Sequence, residues 1–144
     1  MNGRRAFTPE SANKILPQVR RLVENIVVKE TELDSLTDEL SEVSADSMDR
    51  STYQAKRRRL EEVTMEISRL AAELKNLGCL LKDVDLGLVD FPTLRLGEPA
   101  YLCWKIGEQS VSHWHTLYEG FAGRKPIVQD EYFSFDDEAS ERVS

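Results

Sequence analysis

Residues 8–43 read TPESANKILPQVRRLVENIVVKETELDSLTDELSEV, and the spacing of their apolar members decides the architecture. Thr8-Pro9-Glu10 is a helix start: a hydroxyl at the cap, proline at the first helical position, an acid in the first turn. Apolar residues then fall at Ile15, Val19, Leu22, Ile26, Leu33, Leu36, Leu40 and Val43, in alternating steps of four and three, with only Lys29 interrupting. This heptad seam predicts a helix over 9–46 that lays one stripe against another helix. Pro17 lies inside the pattern and has no N–H for the Asn13 carbonyl, so a kink or break is expected there.

Ser51-Thr52 open a second stretch with Tyr53, Leu60, Val63, Ile67, Leu70, Leu74 and Leu77 on its seam. Gly78 follows where a left-handed C-terminal residue is wanted, so a second helix is read over 51–77. The polar segment 44–51 is too short for anything but an antiparallel return. Laid back from that turn, Leu77 falls beside Val19, and Phe7 to about Leu16 overhangs to pack on whatever follows Gly78. Two helices bury only one seam, so a partner is expected, most economically a second copy in a four-helix bundle.

After Gly78 the period changes. Cys79 to Lys82 and Leu86 to Phe91 are short apolar runs with a turn through Asp83–Asp85, and 93–99 reads as a further turn region. Ala100 to Ile106 alternates, with Leu102, Trp104 and Ile106 on one side and Tyr101, Cys103 and Lys105 on the other. Three strands in an antiparallel meander are predicted, one face covered by the overhanging helix. Residues 111–120 are aromatic-rich and read as one helical turn, and Gly120 to Pro126 as a glycine-rich loop. The expected fold class is α+β: a long antiparallel helical hairpin with a small three-stranded module at its open end. The domain is expected to span 1–128, with the β module over 79–128.

Composition agrees with a single globular domain. The chain has 144 residues, 40% hydrophobic and 31% charged, with a formal charge of −7. That sign argues against a general nucleic-acid binder and against adhesion to anionic lipid. The basic run Lys56-Arg57-Arg58-Arg59 does not reverse this, because four consecutive helical residues point around most of the circumference and Glu61 and Glu62 follow. No secretory h-region or membrane span is found, and Cys79 and Cys103 are too few for a disulfide scaffold, so a cytoplasmic protein with two reduced, buried thiols is expected. Residues 129–144 hold six acids and one base, reading as an acidic tail that is partly disordered. Tyr132, Phe133 and Phe135 are able to pin its first half to a surface.

Several words of the carboxy-terminal half stand in a recognisable order. They are Lys82-Asp83, Gly87-Leu-Val-Asp-Phe-Pro92, Leu102-Cys-Trp-Lys-Ile-Gly-Glu108, Trp114-His115 and Gly120-Phe-Ala-Gly-Arg124. With Phe7-Thr8, Ala12-Asn13 and Leu16-Pro17 they resemble the signature of the prokaryotic family known as domain of unknown function 2203, over nearly the whole chain up to Ile127. The resemblance implies fold kinship and a bacterial cytoplasmic setting, and no activity.

These words concentrate chemistry: Asp83, Asp90, Glu108, His115, Glu119 and Arg124. Asp90, Glu108 and His115 are the candidate ligands of a divalent metal, an oxygen and nitrogen set suited to manganese, iron or zinc. Glu108 and His115 are also the candidate catalytic groups of a metal-dependent hydrolase, and Arg124 and Lys82 the candidate anion-binding cations. Each has a structural alternative. Asp90 pairs with Arg124 or Lys82, Glu108 accepts backbone N–H bonds at a strand end, His115 is a hydrogen-bonded core residue, and Trp104 and Trp114 are core. No metalloprotease or phosphate-loop spacing is present. The leading expectation is therefore a non-enzymatic interaction or scaffold protein, dimeric through the hairpin. A metal-binding protein or hydrolase comes second and an anion sensor third.

Overall fold

The structure is a computed structural model that describes residues 6–42 and 48–134. Helix α1 runs Pro9–Glu42 and α2 Arg50–Asn76, followed by β1 (Leu80–Asp83), β2 (Leu88–Arg95), β3 (Glu98–Lys105), β4 (His113–Thr116), β5 (Lys125–Pro126) and β6 (Phe133–Ser134). The helices pack antiparallel against each other and the strands form one antiparallel sheet, so the class is α+β. The expected 43–46 end of the first helix, with Val43, and most of the return lie outside the described residues.

Both ends of the helical pair follow from local chemistry. Thr8 Oγ1 accepts from Ser11 N at 3.1 Å while Ser11 Oγ accepts from Thr8 N at 2.9 Å, a reciprocal box closing two orphan donors. α2 starts one residue earlier than expected because Asp49, not Ser51, caps it, accepting from Thr52 N at 3.2 Å. It ends through Gly78 at φ +94°, with Gly78 N donating to Lys75 O and Cys79 N to Leu74 O. The expected break at Pro17 does not occur. The residue is solvent-exposed and α1 continues through it from Pro9 to Glu42.

The sheet has six strands rather than three, in the order β1-β2-β3-β4-β5, with β6 on β2. The region 93–99 is mostly strand, because the turn shrinks to Leu96-Gly97, both at positive φ (52° and 82°), and lets β2 and β3 pair from Leu88↔Lys105 to Arg95↔Glu98. The segment expected to be a helical turn supplies β4, paired with β3 from Ala100↔Thr116 to Cys103↔His113. The start of the acidic tail docks: Phe133 is buried, pairs with Arg95, and belongs to the main core. Residues 135–144 lie outside the described residues.

One core joins helices and sheet. The α1 residues Leu16, Val19, Leu22, Val23 and Ile26 and the α2 residues Leu70 and Leu74 pack with Val89, Phe91, Leu102 and Trp104. The overhang docks as expected: Phe7 N donates to Pro92 O at 2.6 Å, Thr93 Oγ1 to Phe7 O at 2.6 Å, and the Phe7 and Phe91 rings meet edge to face at 5.3 Å. Farther out, beyond Val27 on α1 and before Ile67 on α2, the helices lie outside the core shared with the sheet and, among the described residues, are tied to each other. Lys29, the interruption in the seam, pairs with Glu66 at 2.9 Å. Lys56 pairs with Glu39 and Arg59 with Glu32, so half of the basic run ties the helices together. Among the described residues no helix is long and apolar enough to cross a membrane.

The loop from β3 to β4 is tied to α1. Asn13 Oδ1 accepts from Val111 N at 2.7 Å and Asn13 Nδ2 donates to Val111 O at 3.2 Å, a side-chain imitation of a strand ladder. Arg20 donates to the carbonyls of Glu108 and Gln109. Val111 is 3% exposed. Asn13→Ala leaves its backbone unpaired and is expected to lower stability by about 1–3 kcal/mol. Urea unfolding followed by circular dichroism measures this, and a loss below about 0.5 kcal/mol would show the clip to be dispensable.

Candidate functional site

Strand alternation divides the sheet chemically. Val89, Phe91, Leu102 and Trp104 face the helices. The intervening residues point away: Leu88, Asp90 and Pro92 on β2, Tyr101, Cys103 and Lys105 on β3, His113 and His115 on β4. Register places Asp90 opposite Cys103 and Cys103 opposite His113, with His115 one step along, opposite Tyr101. Strands lie about 4.8 Å apart, so Asp90 and His115 meet by reaching across β3.

They meet with His115 Nε2 3.1 Å from Asp90 Oδ1, side chains 4% and 3% exposed. His115 Nδ1 lies 2.7 Å from the Thr116 carbonyl, which only accepts, so Nδ1 carries a proton and donates it. The Nε2–Oδ1 contact therefore holds one proton shared between imidazole and carboxyl. Cys103 completes the group, and one donor atom each from Asp90, Cys103 and His115 lie within 4.8 Å of one another, all three residues buried. Burial pushes the Asp90 carboxyl above its usual value against the pull of His115, Lys82 and Cys103. Burial, then the neighbouring Asp90, pushes the Cys103 thiol up to about 11.

A tetrahedral ion, with bonds of about 2.0 Å to nitrogen and oxygen and about 2.3 Å to sulfur, needs its donors about 3.3–3.6 Å apart. The pair at 3.1 Å nearly meets this as it stands, and with Cys103 Sγ all three donor atoms lie within 4.8 Å of one another. A histidine that gives Nδ1–H to a backbone carbonyl also presents Nε2 in the orientation typical of a metal ligand.

Around this group stand the other candidates. Glu108, just past β3, accepts Lys105 N at 2.9 Å and takes both terminal nitrogens of Arg124, Nη1 at 3.1 Å. Burial works to raise its carboxyl, but these bonds outweigh it and hold Glu108 below the usual range. Arg124 lies 4.4 Å over the Phe121 ring, with Nη1 3.9 Å from Cys103 Sγ. Lys82, on β1, sits 5.2 Å over the Tyr101 ring, which is itself 5.5 Å from the His115 ring.

Asp90, Glu108, His115, Arg124 and Lys82 thus gather about one face of the sheet, in altered pairs, while Asp83 accepts from Leu86 N at the β1–β2 turn and Glu119 pairs with Lys125. Asp90 meets His115, not Arg124, because Arg124 is taken by Glu108 from the opposite side of Cys103. Glu108 spends its oxygens on Arg124 and a backbone N–H, while Cys103, read only as a buried thiol, stands with Asp90 and His115. The alternation that put Tyr101 and Cys103 on one side held the signal; the missing step was the turn at Leu96-Gly97, which sets 103 opposite 90. Trp104 is fully buried and Trp114 packs against the core. Burial pushes the Cys79 thiol up to about 12. Both thiols are therefore expected to stay unmodified by an aromatic disulfide reagent at neutral pH and to react in denaturant; rapid native-state labelling of either would contradict their burial.

No curated protein and no solved structure matches the chain. A family model described as an uncharacterised conserved protein matches residues 5–127, ending where the resemblance read from the sequence ends. The chain belongs to that family, domain of unknown function 2203.

Proposed function

We propose that the protein binds one divalent transition-metal ion through Asp90 Oδ1, Cys103 Sγ and His115 Nε2. The single observation that carries this is the convergence of three different donor atoms from three adjacent strands, with His115 already oriented by the Thr116 carbonyl. One oxygen, one nitrogen and one sulfur suit zinc, and three protein ligands leave a fourth position open, the pattern of reactive rather than purely structural zinc sites. Two free buried thiols fit a reducing cytoplasm. Zinc added to chelator-treated protein is expected to bind at one equivalent, and cobalt to give a thiolate charge-transfer band. Cys103→Ser should abolish the band, and His115→Ala should weaken metal binding at least about tenfold while the fold persists. Binding of no metal, or equal binding by both variants, rejects the site.

The projecting half of the hairpin supports a second reading, a scaffold that dimerises through it. Val28 and Met65 are 67% and 72% exposed there, on the stretch of the two helices that lies beyond the shared core. Light scattering at micromolar concentration is expected to give twice the chain mass, reduced by Val28→Glu with Met65→Glu. A monomer at that concentration removes this reading.

A further inference from the structure

We infer that the open position of the ion takes a small oxyanion held between Lys82 and Arg124, an inference that rests on the metal reading above. Across the sheet the order is Lys82 on β1, Asp90 on β2, Cys103 on β3, His115 on β4 and then Arg124 just before β5. Two cations therefore flank the three donors from opposite sides. Lys82 Nζ lies 5.2 Å over the Tyr101 ring, which is 5.5 Å from the His115 ring, and Arg124 Nη1 lies 3.9 Å from the Cys103 sulfur.

The charge balance asks for an anion. A divalent ion with one carboxylate, one thiolate and a neutral imidazole is uncharged as a unit. Glu108 balances Arg124. Lys82 has no ion-pair partner among the described residues. Lys82 therefore leaves one positive charge uncompensated near the open position, and a water there supplies no full charge to offset it.

The donors are also pre-arranged. Arg124 is fixed by its stack on Phe121 and by Glu108, which Lys105 N holds in turn, yet a guanidinium has five N–H groups and Glu108 does not use them all. Lys82 is exposed while the three donors are buried. The ligand therefore enters from the Lys82 side with one oxyanion head, a phosphate ester or a carboxylate.

Calorimetric titration of the zinc-loaded protein with inorganic phosphate, and separately with acetate, tests this, with metal content measured in every sample. At least one anion is expected to bind the loaded protein. Affinity should fall at least tenfold in Lys82→Met, whose altered side chain is on the surface, at unchanged metal content. The same fall is expected in Arg124→Gln if that variant folds; if it does not, Lys82→Met decides. Tighter phosphate binding identifies a phosphate ester as the ligand class, and tighter acetate binding a carboxylate. Metal uptake with no response to either anion, or wild-type affinity in Lys82→Met, overturns this inference alone. Absence of metal uptake overturns it together with the metal site.

Discussion

The structure depends on the burial of one sheet face under the first half of α1. Val89, Phe91, Leu102 and Trp104 are all at 0% exposure against Val19, Val23 and Ile26. Fully burying a side chain of this size stabilises by about 1.5–3 kcal/mol, so no register that turned these residues outward would survive. A strand has a period of two, and a slip of one residue would carry Asp90 and Cys103 into the apolar core. The helix thus positions polar side chains it never touches.

That outer face carries an unusual load. Asp90, Thr93 and His115 are the buried polar residues among those described, and Asp90 and His115 belong to the site with Cys103. Burying a carboxyl and an imidazole is unfavourable unless each is hydrogen-bonded, and both are, through one shared proton and the Thr116 carbonyl. Arg124 and Glu108 solve the same problem by pairing with each other. The Cys103 thiol, held near 11, is a poor nucleophile in this setting. The ordinary way to draw a thiolate from it is a metal ion that displaces the proton.

Much of this was legible in the residues and some was not. The seam, the Thr8 cap, the Gly78 stop and the docking of Phe7 beyond the hairpin each have a local cause that spacing expresses. The β2–β3 turn was hidden because Pro92 and Pro99 imitate a loop. Pro92 is nevertheless tolerated inside β2. Its carbonyl accepts from Phe7 in the gap between β1 and β6, and its missing N–H points to the same unpaired edge. β4 was hidden because its partner is reached through a long loop whose geometry is set by Asn13 and Arg20, contacts made across 88 to 98 residues of chain. Convergence of Asp90, Cys103 and His115 followed from those two pairings, so it could not be read before them.

The same contacts divide the molecule mechanically. The site strands are held on one side by the core and at the β3–β4 loop by Asn13 and Arg20, so the donor atoms sit on supported backbone, as a binding site requires. The distal hairpin is held by Leu36 and Val63 and by ion pairs that are a quarter to a half exposed, and such pairs contribute little each and weaken with salt. Local opening will therefore begin in the outer hairpin and leave the sheet intact. The outer hairpin is thus the less supported part of the fold, and the strands that carry Asp90, Cys103 and His115 the more supported. The core between them, from Ile26 to Phe91, sets the two regions apart.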